Sequence, residues 1–365
     1  MKSHIESIDF VRGIAIILVF SYHCHIVIFP GTEGLIYNDF FLDFTKNSLR
    51  SILLNLSPAA LGWTGVQLFL VISGFLIHLG TIKKNLAFDG IKFYNKRFWR
   101  IYPPYLIVLL MFSIFHYGSL GNVLSHVLLI HNLSDKYFYG ISGSFWSLAL
   151  EVQLYLVYPA YLYLYKKVGA NRALLVVAAI AAVSLAYQKV NNINTFSFET
   201  SVFKFWIIWV AGAHLAHAFS QRKRLFKING IQLFLITLLL PLVRFTTLYG
   251  SIMPYISTLY YVILMEWLLY RHHTTDTKVI TLVANIGLIS YSIYLIHQPI
   301  INPIIRYFAF VDNSPRIIAV SLGCFGLISL ISIFTYKYME LYSIQLGEDF
   351  YKKILKRKLL KNAQE

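Results

Sequence analysis

Long apolar runs, each near the thickness of a bilayer, alternate along this chain with short clusters of lysine and arginine. A transmembrane helix needs about 20 mainly apolar residues. The pattern predicts about ten such helices, at 8–29, 63–82, 101–118, 143–165, 172–188, 202–220, 228–244, 252–270, 286–308 and 315–339. Two more apolar stretches, 40–61 and 120–134, are broken by polar residues and read as interfacial or re-entrant pieces.

The basic residues test this layout independently. With the N-terminus in the cytoplasm, most of the 32 lysines and arginines fall in cytoplasmic segments, such as 83–100, 166–172, 222–227 and 352–361. The expected fold is therefore all-α and polytopic, with both termini cytoplasmic. Residues 1–341 form the membrane domain and 342–365 a basic tail. The first apolar run contains Asp9 and Arg12, ends in histidines and has no small-residue cleavage site, so it reads as a first helix and not as a signal peptide.

Composition agrees. Hydrophobic residues make up 57% and charged residues only 13%, against about 25% charged in a soluble domain. A net charge of +16 on a soluble protein would suggest nucleic acid. Here it follows the topology, and lipid replaces nucleic acid as the expected partner. Cys24 and Cys324 lie in apolar runs and make neither a disulfide framework nor a CxxC pair. The absence of HExxH or a carboxylate cluster leaves no metal expected.

Ionisable groups inside lipid cost several kcal/mol and usually face the bundle interior or a cavity. Arg12 and His23 are eleven residues apart, which returns them to nearly the same helix face about 16 Å apart. This stripe is either a buried structural pair or part of a site. Arg97 and Arg100, at i and i+3 in YNKRFWRIYPPY, share one side of a helix. Their forks suit phosphates, and equally an anionic lipid surface. Counted from the outer ends, Glu151 and His23 fall at similar depths, about 12 and 9 Å down. Glu151 either orients that imidazole or packs against a tyrosine. His297 sits near mid-membrane beside Gln298. His78, His214, His217 and Glu266 lie near the cytoplasmic ends and read as structural.

Six blocks of the chain resemble, in order, those of the bacterial membrane acyltransferase-3 family: IDFVRGIAIILVFSYH, GVQLFLVISGFLI, KRFWRIYPPY, FWSLALEVQLYLVYP, ISYSIYLIHQP and YKYME. The resemblance runs from about residue 8 to 341. One departure is Gln67, where the second block commonly has Asp. Many relatives carry a fused extracytoplasmic esterase-like domain, so here the membrane domain is expected to complete transfer alone.

The resemblance implies an acyl-CoA-dependent O-acyltransferase of the bacterial inner membrane. It would move an acyl group, acetyl by default, to a hydroxyl of a cell-surface glycan such as lipopolysaccharide or exopolysaccharide. It assigns acyl-CoA as donor substrate, bound by Arg12, Arg97 and Arg100, with His23 as general base and Glu151 beside it. His297, Trp146 and Tyr291 are the expected substrate-binding residues. The rival expectation is a transporter of a glycan or lipid-linked sugar, which often shows repeat symmetry between halves; the sequence shows none.

Overall fold

In lipid a backbone must satisfy its own hydrogen bonds, which favours helices. The computed structural model describes residues 2–28, 56–115, 119–245, 249–271, 277–311 and 316–362, with no strand among them. The principal helices are α1 (Lys2–Ile28), α2 (Gly65–Ile82), α3 (Gly90–Phe115), α4 (Leu120–Val127), α5 (Trp146–Val168), α6 (Ala170–Val190) and α7 (Val202–Ser220). They continue with α8 (Gly230–Leu239), α9 (Tyr249–Tyr270), α10 (Lys278–Leu288), α11 (Ser290–Val311), α12 (Arg316–Thr335) and α13 (Leu341–Asn362).

The expected spans fall largely on helices, except that 228–244 holds a ten-residue helix and a 3-10 turn, Leu240–Phe245. Six helices among the described residues are long and apolar enough to cross a membrane, or seven if α10 and α11 make one span. That is fewer than the expected ten. α3 and α5 are 26 and 23 residues long, so length is not what excludes them. α3 opens on lysines and arginines, and α5 carries Glu151, Gln153 and a row of tyrosines. The span expected at 286–308 is also divided: α10 and α11 meet at a bend of 75°.

Close backbone approach sets the packing. α2 crosses α7 where Gly74 faces the Trp209 carbonyl and Gly212 faces the Val71 carbonyl; a Cβ at either would lie within about 2 Å of that oxygen. This explains the glycine of the second block as a helix contact, the small-residue packing common between membrane helices. α1 packs on α10 and α11.

The stretch 120–134 folds as the short helix α4 and a 3-10 turn, His131–Leu133. Ser119 caps α4 by accepting from the Asn122 N–H. The carbonyls of His126 and Val127, at the other end, accept from the hydroxyls of Tyr105 and Tyr102. Those tyrosines lie mid-way along α3, so α4 dips to the middle of the bundle, and side chains satisfy its buried end. The described part of 40–61 begins at residue 56; the rest of that stretch lies outside the described residues.

From 341 to 362 the chain is helix. α12 passes through a π-turn, Tyr336–Glu340, into α13. α13 lies along the first half of α3: Asn95 Nδ2 donates to the Gly347 carbonyl at 2.7 Å, and Ser343 Oγ donates to the Trp99 carbonyl.

Candidate active site

A cavity of about 410 Å³ opens among α1, α2, α3, α5, α11 and α13. It lies toward the end of the bundle that carries Lys96, Arg97 and Arg100, here the basic end. α3 supplies those three cations and α1 supplies Arg12. The carboxylates of Glu151 and Glu348 are also in the wall. Arg12 donates to Asp9, one turn earlier, at 2.9 Å. Arg97 lays its guanidinium on the Phe93 ring, 4.0 Å from its centre. One donor of that fork, Nε, is buried with no hydrogen-bond partner among the described residues. An unmade hydrogen bond to a charged group is costly.

Five of the expected site residues meet here: Arg12, Arg97, Arg100, Glu151 and Tyr291. Tyr291 donates its hydroxyl to the Ile101 carbonyl at 2.7 Å, which ties α11 to α3.

Glu151 departs from one expectation. Its carboxylate accepts from Tyr155, one turn on along α5, at 2.5 Å; it does not bond His23. Equal depth along two helices brings no contact when the side chains leave on different faces.

The partner of His23 is His297. His23 Nδ1 lies 3.0 Å from His297 Nε2 and 2.9 Å from the Val19 carbonyl, and His297 Nδ1 lies 2.8 Å from the Tyr294 carbonyl. Carbonyls only accept, so in the neutral pair His297 carries its proton on Nδ1 and accepts at Nε2. His23 then carries its proton on Nδ1, shared between His297 and Val19. Its Nε2 keeps a lone pair, with no hydrogen-bond partner among the described residues. Thus two backbone carbonyls fix the tautomer of both rings. His297 is fully buried while His23 is half-buried.

The histidine pair does not line the cavity. The wall between them includes Phe69, Ser147 and Tyr294. Tyr294 is central: its ring centre is 5.5 Å from that of His297 and 6.3 Å from that of Phe69. Its hydroxyl lies 2.5 Å from Ser147 Oγ and also donates to the Ser144 carbonyl. The Tyr294 ring therefore both lines the arginine-lined space and neighbours His297. Trp146 belongs to neither part; it borders a separate cleft at the far end. Among the described residues, no three or more His, Cys, Asp and Glu side chains are grouped to hold a metal.

Comparison with known proteins meets the same chemistry. An acyltransferase domain family matches residues 5–336. The chain belongs to this acyltransferase family. It is 27% identical over 195 residues to the peptidoglycan O-acetyltransferase OatA of Listeria monocytogenes, covering 48% of this chain and 26% of that protein. It is 30% identical over 137 residues to an uncharacterized protein of Haemophilus influenzae, covering 32% of this chain and 56% of that one. The matches thus span about a quarter and just over half of those relatives. No solved structure matches.

With its several apolar helices, this member of the family is a multi-pass membrane protein. The sequence reading missed Tyr294 and Ser147, although both lie inside the matched blocks. Tyr294 is three residues before His297 and so on the same helix face, a spacing that pointed to it. Nothing in the tail's basic composition pointed to Ile344, Gly347 and Glu348, which complete the cavity wall.

Proposed function

We propose that the protein is an integral membrane O-acyltransferase. It moves an acyl group, acetyl in the first instance, from cytoplasmic acyl-CoA to a hydroxyl of a cell-surface polysaccharide. In this reading the basic end and both termini face the cytoplasm, and the far end faces outward from the bacterial cytoplasmic membrane. The observation that carries it is an arginine-lined cavity whose wall includes Tyr294, the neighbour of His297, which in turn holds His23.

The donor's phosphates bind Arg97 and Arg100, with Arg12 farther in. The pantetheine arm runs along α1, whose rise from Arg12 to His23 is about 16 Å. Tyr294 turns aside to admit the thioester. His23 Nε2 takes the proton of the acceptor hydroxyl as its oxygen attacks the thioester carbonyl. The new C–O bond forms, the C–S bond breaks, and the thiolate leaving group receives the proton back, so ester and free thiol are the only products. His297 holds the ring of His23 and accepts a stronger, charge-assisted hydrogen bond once that ring is protonated. Glu151, among the arginines, acts on the donor side.

The relative that acts on peptidoglycan makes peptidoglycan one acceptor to test, beside lipopolysaccharide and exopolysaccharide. The test is mass spectrometry of cell-surface glycans from cells with the protein, without it, and with His23→Ala. We expect an acyl mass increment in the first alone. Identical glycans in all three would contradict the reading.

A further inference from the structure

At the far end a second, narrow cleft lies among the ends of α2, α5, α7 and α9. Trp63, just before α2, Trp146 on α5, Phe205 on α7 and Tyr255 on α9 converge on it, with Gln67, Glu199 and Lys204 in the same wall. Lys204 is 4% exposed. It donates to Glu199 and, at 2.7 Å, to Gln188 Oε1. Trp146 is braced by a stacked ring, Phe138, 5.9 Å away, and by the edge of Phe205 at 6.1 Å. The lip at Ser251 is exposed.

Aromatic residues gather at membrane interfaces as a belt against lipid. These differ, because they point from four segments toward one space whose wall contains a buried ion pair. That combination fits a sugar. A pyranose presents C–H groups on one face, which an aromatic ring covers by dispersion and weak C–H contacts. Its hydroxyls need charged or amide partners. The enclosed space is only about 20 Å³, so it grips one face or edge of a ring and leaves the rest in solvent, as a polymer requires.

Two short chains of neighbouring residues link the cleft to the histidine pair. Trp146 precedes Ser147, which bonds Tyr294 beside His297. Trp63 follows Gly62, which packs on Leu18 and Tyr22, the latter next to His23.

We propose that this cleft is a glycan subsite: it holds the sugar residue neighbouring the one whose hydroxyl is acylated. The proposal rests on the transferase reading above. Two variants test it. Trp63→Ala removes a stacking face, and Ser251→Trp plugs the lip from an exposed position, so it serves if the first fails to fold. Acetyl-CoA affinity is measured by calorimetry on protein in nanodiscs, and acetate is released by base from cell-surface glycan of cells expressing each form. We expect unchanged acetyl-CoA affinity with acetate down about tenfold or more. Wild-type acetate from cells with folded Ser251→Trp, the result a mere lipid belt would give, overturns the subsite alone. If wild-type protein neither binds acetyl-CoA nor acylates glycan, the transferase reading fails and the subsite falls with it.

Discussion

The cavity at the basic end is lined by charge: Arg12, Lys96, Arg97 and Arg100 share its wall with Glu151 and Glu348, and Arg97 Nε has no hydrogen-bond partner among the described residues. The histidine pair is built from closed hydrogen bonds. Three of its four ring nitrogens bond a backbone carbonyl or the other ring, leaving one lone pair. The first region is made to be completed by a ligand's charge. The second is already fixed in tautomer and direction before anything binds, which is the preorganisation proton transfer needs. The proposed reaction divides binding from chemistry between these two places, with Tyr294 lining one and neighbouring the other.

Breaking that division at its chemical end should have the largest effect. His23→Ala should lower acyl transfer about 10³-fold while acetyl-CoA affinity, read by calorimetry, stays at the wild-type value. The converse change, Arg97→Ala with Arg100→Ala, should weaken acetyl-CoA binding about 100-fold; equal affinity would remove both residues from the donor site. His297→Ala should cost about tenfold in turnover, with little change in KM for the donor, because it frees the ring of His23 without removing it. A larger rise in KM than fall in kcat would place His297 in binding instead. Smallest is Tyr294→Phe, which keeps the ring but drops its hydrogen bonds to Ser147 and Ser144. Loss of about one hydrogen bond should let the ring move more often and raise acetyl-CoA hydrolysis without acceptor about threefold, measured by free thiol release.

The sequence made one side of this comparison far more legible than the other. Helices could be read because lipid forces long apolar runs, and the arginines because i, i+3 spacing on one helix fixes a shared face. Arg12 and His23 were readable as one stripe for the same reason. The contact of His23 with His297 joins residues 274 positions apart, and no local period reports it. Depth along a helix could be counted for Glu151, but its direction about the axis relative to α1 could not, so its partner turned out to be its own neighbour Tyr155. The bend between α10 and α11 was hidden because no proline or charged residue marks it. The wall supplied by α13 was hidden because a basic composition says nothing about which face packs on α3.

Everything here turns on a thioester passing from the arginines to His23. A cryo-EM structure with a non-hydrolysable acetyl-CoA analogue, its thioester sulfur replaced by methylene, tests that passage most directly. The account predicts phosphate density on Arg97 and Arg100, the arm running along α1, and Tyr294 displaced so that a hydroxyl oxygen fits between the carbonyl carbon and His23 Nε2. Density for the acyl end in another compartment, with Tyr294 unmoved and the histidine pair sealed off, would contradict it.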